Sequence, residues 1–213
     1  MEHRQSSIHR PSSPGGLLML AAVAGPILFI AASFALAPLH PGYSIVKQQV
    51  SALAIGPNGE FMRTAFLLYG VLTTAGVIAV FRSLEDQLGP VSRWLCTALL
   101  ALSPIGILWA GLFTMDHLAL HNIGGQAAFA SPVLTLPIVG LILRRVPGWR
   151  GFGTAMILAG PLTLALLIGF ITSVPPSEYA TGGGTLGLWQ RALGFETFAW
   201  FAALGWWATV RRP

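Results

Sequence analysis

Charge is what this chain has least of. Only 9% of its 213 residues are Asp, Glu, Lys or Arg, against about 25% in a soluble domain. No water-facing shell can be built from so little, and an ordinary soluble domain is excluded. Cysteine is nearly absent too: Cys96 stands alone, which excludes an internal disulfide. Acidic residues number seven against twelve basic ones, for a formal charge of +5. That excess is spread thinly over loop arginines, so a nucleic-acid-binding surface is excluded as well. Long polar stretches are also missing, and nothing between the apolar segments is large enough for a second, soluble domain.

What the chain does have is apolar length. Hydrophobic residues make up 54% of it. A helix needs roughly 20 apolar residues to cross a hydrocarbon core about 30 Å thick. Six stretches meet that need: 17–39, 61–81, 95–115, 123–143, 152–174 and 188–210. The expected fold is all-α, a polytopic bundle of six transmembrane helices spanning 17–210. The polar residues 1–16, rich in Ser, Pro and Gly, are expected to form a disordered tail.

Basic residues set the orientation. Arg4, Arg10, Arg82, Arg93, Arg144, Arg145, Arg150, Arg211 and Arg212 fall on one side of the spans, and Lys47, Arg63 and Arg191 on the other. The positive-inside rule then places both termini in the cytoplasm, with the protein in the inner membrane. The first span imitates a signal peptide, with Ala35-Leu36-Ala37 as a cleavage site. Its run of about 20 apolar residues exceeds the usual 7–15, however, and a cut would leave Pro38 first. The span is read as retained.

The polar residues that are costly beside a membrane gather on the outer side. In the loop 40–60, Ser44, Lys47, Gln48 and Ser51 fall at i, i+3, i+4 and i+7, with Val46, Val50, Leu53 and Ala54 between them. This spacing predicts an amphipathic helix over 44–54, capped by Ser44 and lying as a lid on the bundle. His117 and His121, four apart, share a helical face behind Asp116. With His40 they form a candidate zinc set, since catalytic zinc takes three protein ligands and keeps one position open. Glu196 sits well inside the last span, where an ionisable residue is expected to face the bundle interior. Gln126 lies at similar depth and is a candidate donor to it. The stretch Thr181-Gly182-Gly183-Gly184-Thr185 lacks the lysine of a phosphate loop and reads as a mobile linker.

The outer segment Tyr43-Ser44…Gln49-Val50-Ser51-Ala52-Leu53-Ala54…Gly59, followed by Gly111-Leu112-Phe113-Thr114-Met115-Asp116 and His121, resembles the bacterial membrane proteins of the "domain of unknown function 998" family. The residues matching the pattern are Ser51, Gly111, Phe113, Asp116 and His121. Ala54-Ile55-Gly56 departs from it. The resemblance implies a six-helix membrane protein and no particular activity. A looser similarity to alkaline-ceramidase-like and adiponectin-receptor-like hydrolases rests on Ser51, Asp116 and His117-x-x-x-His121, residue types that those enzymes gather around zinc. Span count and histidine position both differ from theirs.

Two functions are therefore expected from the sequence. The first is an outward-facing polar pocket that binds or transports a membrane lipid or a small molecule, lined by Ser44, Lys47, Gln48, Ser51, Asp116, His121, Gln126, Arg191 and Glu196. The second is a lipid hydrolase with zinc held by Asp116, His117, His121 and His40.

Overall fold

The computed structural model describes residues 14–211. Residues 1–13, on which most of the expected tail falls, lie outside the described residues, as do 212–213. Among the described residues there are seven α-helices and no strand: α1 Pro14–Leu36, α2 Gly59–Arg82, α3 Pro90–Leu112, α4 Leu118–Phe129, α5 Ser131–Leu143, α6 Arg150–Thr172 and α7 Leu186–Val210. Five segments are long and apolar enough to cross a membrane: Gly15–Leu39, Gly59–Arg82, Pro90–Leu112, Met115–Leu143 and Arg150–Thr172. α7 matches them in length. Its Gln190, Arg191, Glu196 and four tryptophans make it less apolar, and it falls outside that group.

The helices close into a ring. α1 packs on α2 and α7, α2 on α3, α3 on both α4 and α5, α5 on α6, and α6 on α7. Connections 83–89 and 144–149 lie at one end, and 37–58, 113–117 and 173–185 at the other. At the first end the core is continuous, built on Met19, Phe81, Leu100, Leu143, Met156 and Leu204. Toward the second end a cluster of Phe29, Phe66, Tyr69 and Phe198 replaces it, with Phe29 set edge-on to Phe66 at 4.9 Å.

The fourth apolar stretch is broken into two helices at Ala130, two residues before Pro132. Proline has no N–H to offer the carbonyl four residues back, here that of Ala128. The Ser103 hydroxyl of α3 donates to Ala128 O at 2.8 Å instead. Ser131 donates to Ala127 O at 2.6 Å. With its carbonyls satisfied from the side, the chain bends at Ala130. α5 then lies along α6, while α4 stays on α3.

The α3–α4 contact is close because Gly106 and Gly124 face each other. A Cβ on Gly106 would meet Ala128 N at 2.5 Å and Gly124 O at 2.6 Å.

The segment 44–54 departs from its expected form. Instead of one amphipathic helix it makes a turn, with Lys47 N and Gln48 N bonded to Ser44 O. An extended residue, Gln49, follows, and then a 3-10 helix, Val50–Ala54. Ser44 still receives Lys47 N on its hydroxyl, at 3.4 Å. The break turns Val46 outward (42% exposed) and keeps Leu53 inward (1%). The glycine stretch 182–184, expected as a linker, lies against the same turn. Gly183 N donates to Lys47 O at 3.1 Å, and a side chain on Gly182 (φ +83) would strike that same carbonyl.

Candidate functional site

A cavity of about 510 Å³ opens where α4 has bent away from α6. Its walls are aromatic: Phe29, Phe66, Phe129, Phe170, Phe195 and Phe198. Its roof is the 49–51 segment, joined by Pro176 and Tyr179. Exposed residues on both sides, Gln126 of α4 with Ala130 just after it and Ile171 of α6, border it, so the cavity opens sideways through the ring.

The roof is held by α7. Arg191, only 5% exposed, uses Nη1 to donate to Ile45 O at 2.7 Å, Gln48 O at 3.1 Å and Gly187 O at 3.0 Å. Its Nη2 donates to the Tyr43 hydroxyl, and the guanidinium lies 5.7 Å from the Tyr43 ring centre. Next to it, Gln190 Oε1 receives Val50 N at 2.7 Å and Gln190 Nε2 donates to Gln49 Oε1 at 3.2 Å. Gln49 in turn donates to Tyr179 O at 2.8 Å. One relay thus ties the 40–55 segment, the 175–185 segment and α7 together. Burial pushes the Tyr43 phenol above its ordinary value of 10.0, and the charge and hydrogen bond of Arg191 pull it partly back. Tyr43 is therefore a neutral phenol at physiological pH, able to donate to Gln49 O at 3.0 Å.

His121 lines the cavity from the start of α4. Its Nδ1 lies 2.8 Å from Phe113 O and 3.1 Å from Ala110 O. Both are acceptors at the C-terminus of α3, where carbonyls lack intrahelical donors. Nδ1 must therefore carry the proton. In the neutral ring this leaves Nε2 as an acceptor, and no protein group binds it.

Of the residues expected in one pocket, Ser51, His121, Gln126 and Arg191 line the cavity. The others do not. Lys47 is exposed. Gln48 accepts Ser44 N on Oε1 at 2.7 Å, bracing the turn. Asp116 is exposed and accepts the Thr114 hydroxyl at 3.0 Å.

Glu196 faces α6. It accepts the Trp200 indole N–H at 2.7 Å and bonds the Thr163 hydroxyl at 3.1 Å. Gln126 is not its partner. The idea of a single pocket holding Asp116, His121 and Glu196 is corrected accordingly: each has its own partners, and only His121 reaches the cavity.

The zinc set is not assembled. Among the described residues no three His, Cys, Asp or Glu side chains are placed to share a metal ion. His40 Nε2 bonds Ile55 O at 3.0 Å, His117 is exposed, and His121 Nδ1 is taken by α3.

Sequence reasoning missed Gln49, Asn122, Tyr179, Gln190 and the phenylalanines. Gln190, polar and beside Arg191 in an apolar span, was the signal available. Phenylalanines in an apolar span carry none.

No curated protein and no solved structure gives a significant match to this chain. The profile of the family described as "Protein of unknown function (DUF998)" matches residues 23–207. With the apolar helices and the Gly111–His121 connection already in view, the chain belongs to that family and is a multi-pass integral membrane protein.

Proposed function

We propose that this protein binds a lipid or another small amphipathic molecule in the cavity between α4, α6 and α7, for storage, presentation or transport. In this reading α7 is a sixth span, both termini lie in the cytoplasm, the membrane is the cytoplasmic one and the cavity faces outward. The nine-to-three division of basic residues supports that orientation. The single observation carrying the binding role is the sideways opening of an aromatic cavity that also receives polar side chains from the 49–51 segment, α4 and α7. Its size falls within the roughly 300–1,000 Å³ of small-molecule sites. An opening between helices admits a ligand directly from the bilayer, without passage through water.

Gly125 provides the test. It lines the cavity, and a Cβ there meets nothing within 4 Å. Gly125→Phe should fill the cavity while leaving helix packing intact. Purified wild-type protein should bind an environment-sensitive fluorescent fatty acid, and the variant should not. Equal binding by both, at equal thermal stability, would refute the cavity as the site.

A further inference from the structure

Arg191 is a buried cation with no buried anion beside it. Among the described residues the one ion pair is Arg93–Glu85, at the other end of the bundle. No Asp or Glu lines the cavity. A charge removed from water without a counter-charge is costly. Carbonyl oxygens solvate this one in part but do not neutralise it.

Three further side chains at the cavity keep a ring nitrogen or a whole amide that no protein group binds. His121 offers Nε2. Asn122 and Gln126, four apart on α4 and so on one face, both line the cavity, and neither amide makes a hydrogen bond. Both are exposed, and in the proposed membrane placement an amide left bare against hydrocarbon costs on the order of several kcal/mol. Two in succession beside an opening into the bilayer therefore point to a polar occupant. The amides supply N–H donors, Arg191 supplies positive charge and the lining supplies no negative charge. Such a set suits an oxyanion, which accepts hydrogen bonds and prefers charged donors. The phenylalanine walls suit a hydrocarbon chain.

We propose that the ligand is an anionic amphiphile, with its carboxylate or phosphate head near Arg191, Asn122 and Gln126 and its chain along Phe29, Phe66 and Phe198. This rests on the cavity being a binding site and adds the charge of the head group.

The test compares heads on one chain. Palmitate, palmityl phosphate and palmityl alcohol would compete for the fluorescent fatty acid on wild-type protein in uncharged detergent. The two anions should bind about tenfold or more tightly than the alcohol, the gain expected of charge-assisted over neutral hydrogen bonds. Equal binding of alcohol and anions would overturn this inference while leaving the cavity reading intact. Displacement by inorganic phosphate as strong as by palmityl phosphate would also overturn it, since the chain would then contribute nothing. Failure of all three amphiphiles would remove both readings together.

Arg191→Gln should bring the anion-to-alcohol ratio near one. Because Arg191 also holds the roof, the paired variant Asn122→Leu/Gln126→Leu tests the same point through side chains that make no protein hydrogen bond. It should weaken palmityl phosphate about tenfold and the alcohol less. An unchanged ratio in both variants would overturn the proposal.

Discussion

Arg191 on α7 donates to the hydroxyl of Tyr43 and holds its guanidinium against the Tyr43 ring, across 148 residues of sequence. That contact decides whether the 40–55 segment is a loop in water or a roof over the cavity. Arg191→Gln should free it. The carbonyl of Ile45 would lose its side-chain donor, at about 1–3 kcal/mol for a buried group left unsatisfied, and that of Gln48 would keep the Tyr43 hydroxyl at 3.3 Å. Tyr43→Phe removes the hydrogen bond from Arg191 and the one to Gln49 O and should cost about 1–3 kcal/mol. Hydrogen exchange over 43–54 should rise strongly in the first variant and less in the second, with α3 and α5 unchanged.

Alkaline pH probes the same contact. Because burial raises the Tyr43 value above 10.0, the folded phenol holds its proton more tightly than the unfolded one. The stability this gives is complete below about pH 10 and is lost as pH rises through the higher folded value. Melting temperature followed upward from neutral pH should fall less steeply in Tyr43→Phe than in wild type over that window.

Glu196 joins α6 to α7, so its substitutions should separate stability from binding. Glu196→Gln keeps an acceptor for the Trp200 indole and should fold close to wild type. Glu196→Ala leaves that N–H without its partner, while the Thr163 hydroxyl keeps Ala159 O at 2.9 Å, and should lose about 1–3 kcal/mol. Neither should shift ligand affinity once folded protein is counted, because the carboxylate does not line the cavity.

The two neighbouring glycines of α4 should behave in opposite ways. Gly124→Ala places a methyl 2.7 Å from Gly106 O and 2.8 Å from Ala110 N, forcing α3 and α4 apart. Overpacking of this kind costs about 1–3 kcal/mol. Gly125→Phe faces open space and should melt near wild type yet lose binding. Thermal melts and probe titrations on the same preparations would check both.

Topology is open to labelling in a Cys96→Ser background. Cysteine at Val46 or Lys47 should react with a membrane-impermeant maleimide from outside the cell, and cysteine at Leu53 should not. Labelling of Arg211→Cys from outside intact cells would reverse the orientation.

Much of this was legible from the residues in order, because the rules involved are local. The helices follow from apolar length. The 44–54 segment was not legible as a roof. Its spacing fits an amphipathic helix, but Arg191 and Gln190 draw its carbonyls and one amide toward α7, and a continuous helix would have used those groups internally. Asp116 and Glu196 were read as site residues because a lone carboxylate near or inside a membrane is conspicuous. What the sequence withheld was the partner, here Thr114 for one and Thr163 with Trp200 for the other.

The sequence by itself determined that this chain enters a membrane several times, since a hydrocarbon core selects for uninterrupted apolar length and nothing else in the chain competes with it. It also determined that Pro132 offers no N–H to the carbonyl of Ala128, although Pro26, Pro104, Pro137 and Pro161 share that lack and stay inside unbroken helices. Tertiary structure alone decided what the bend at Ala130 does. Ser103 arrives from another helix to satisfy the freed carbonyl, α4 stays on α3, α5 lies on α6, and the space left between them becomes a cavity. A cavity is a property of distances between elements. No residue encodes it singly, and the side chains that meet in it lie far apart along the chain.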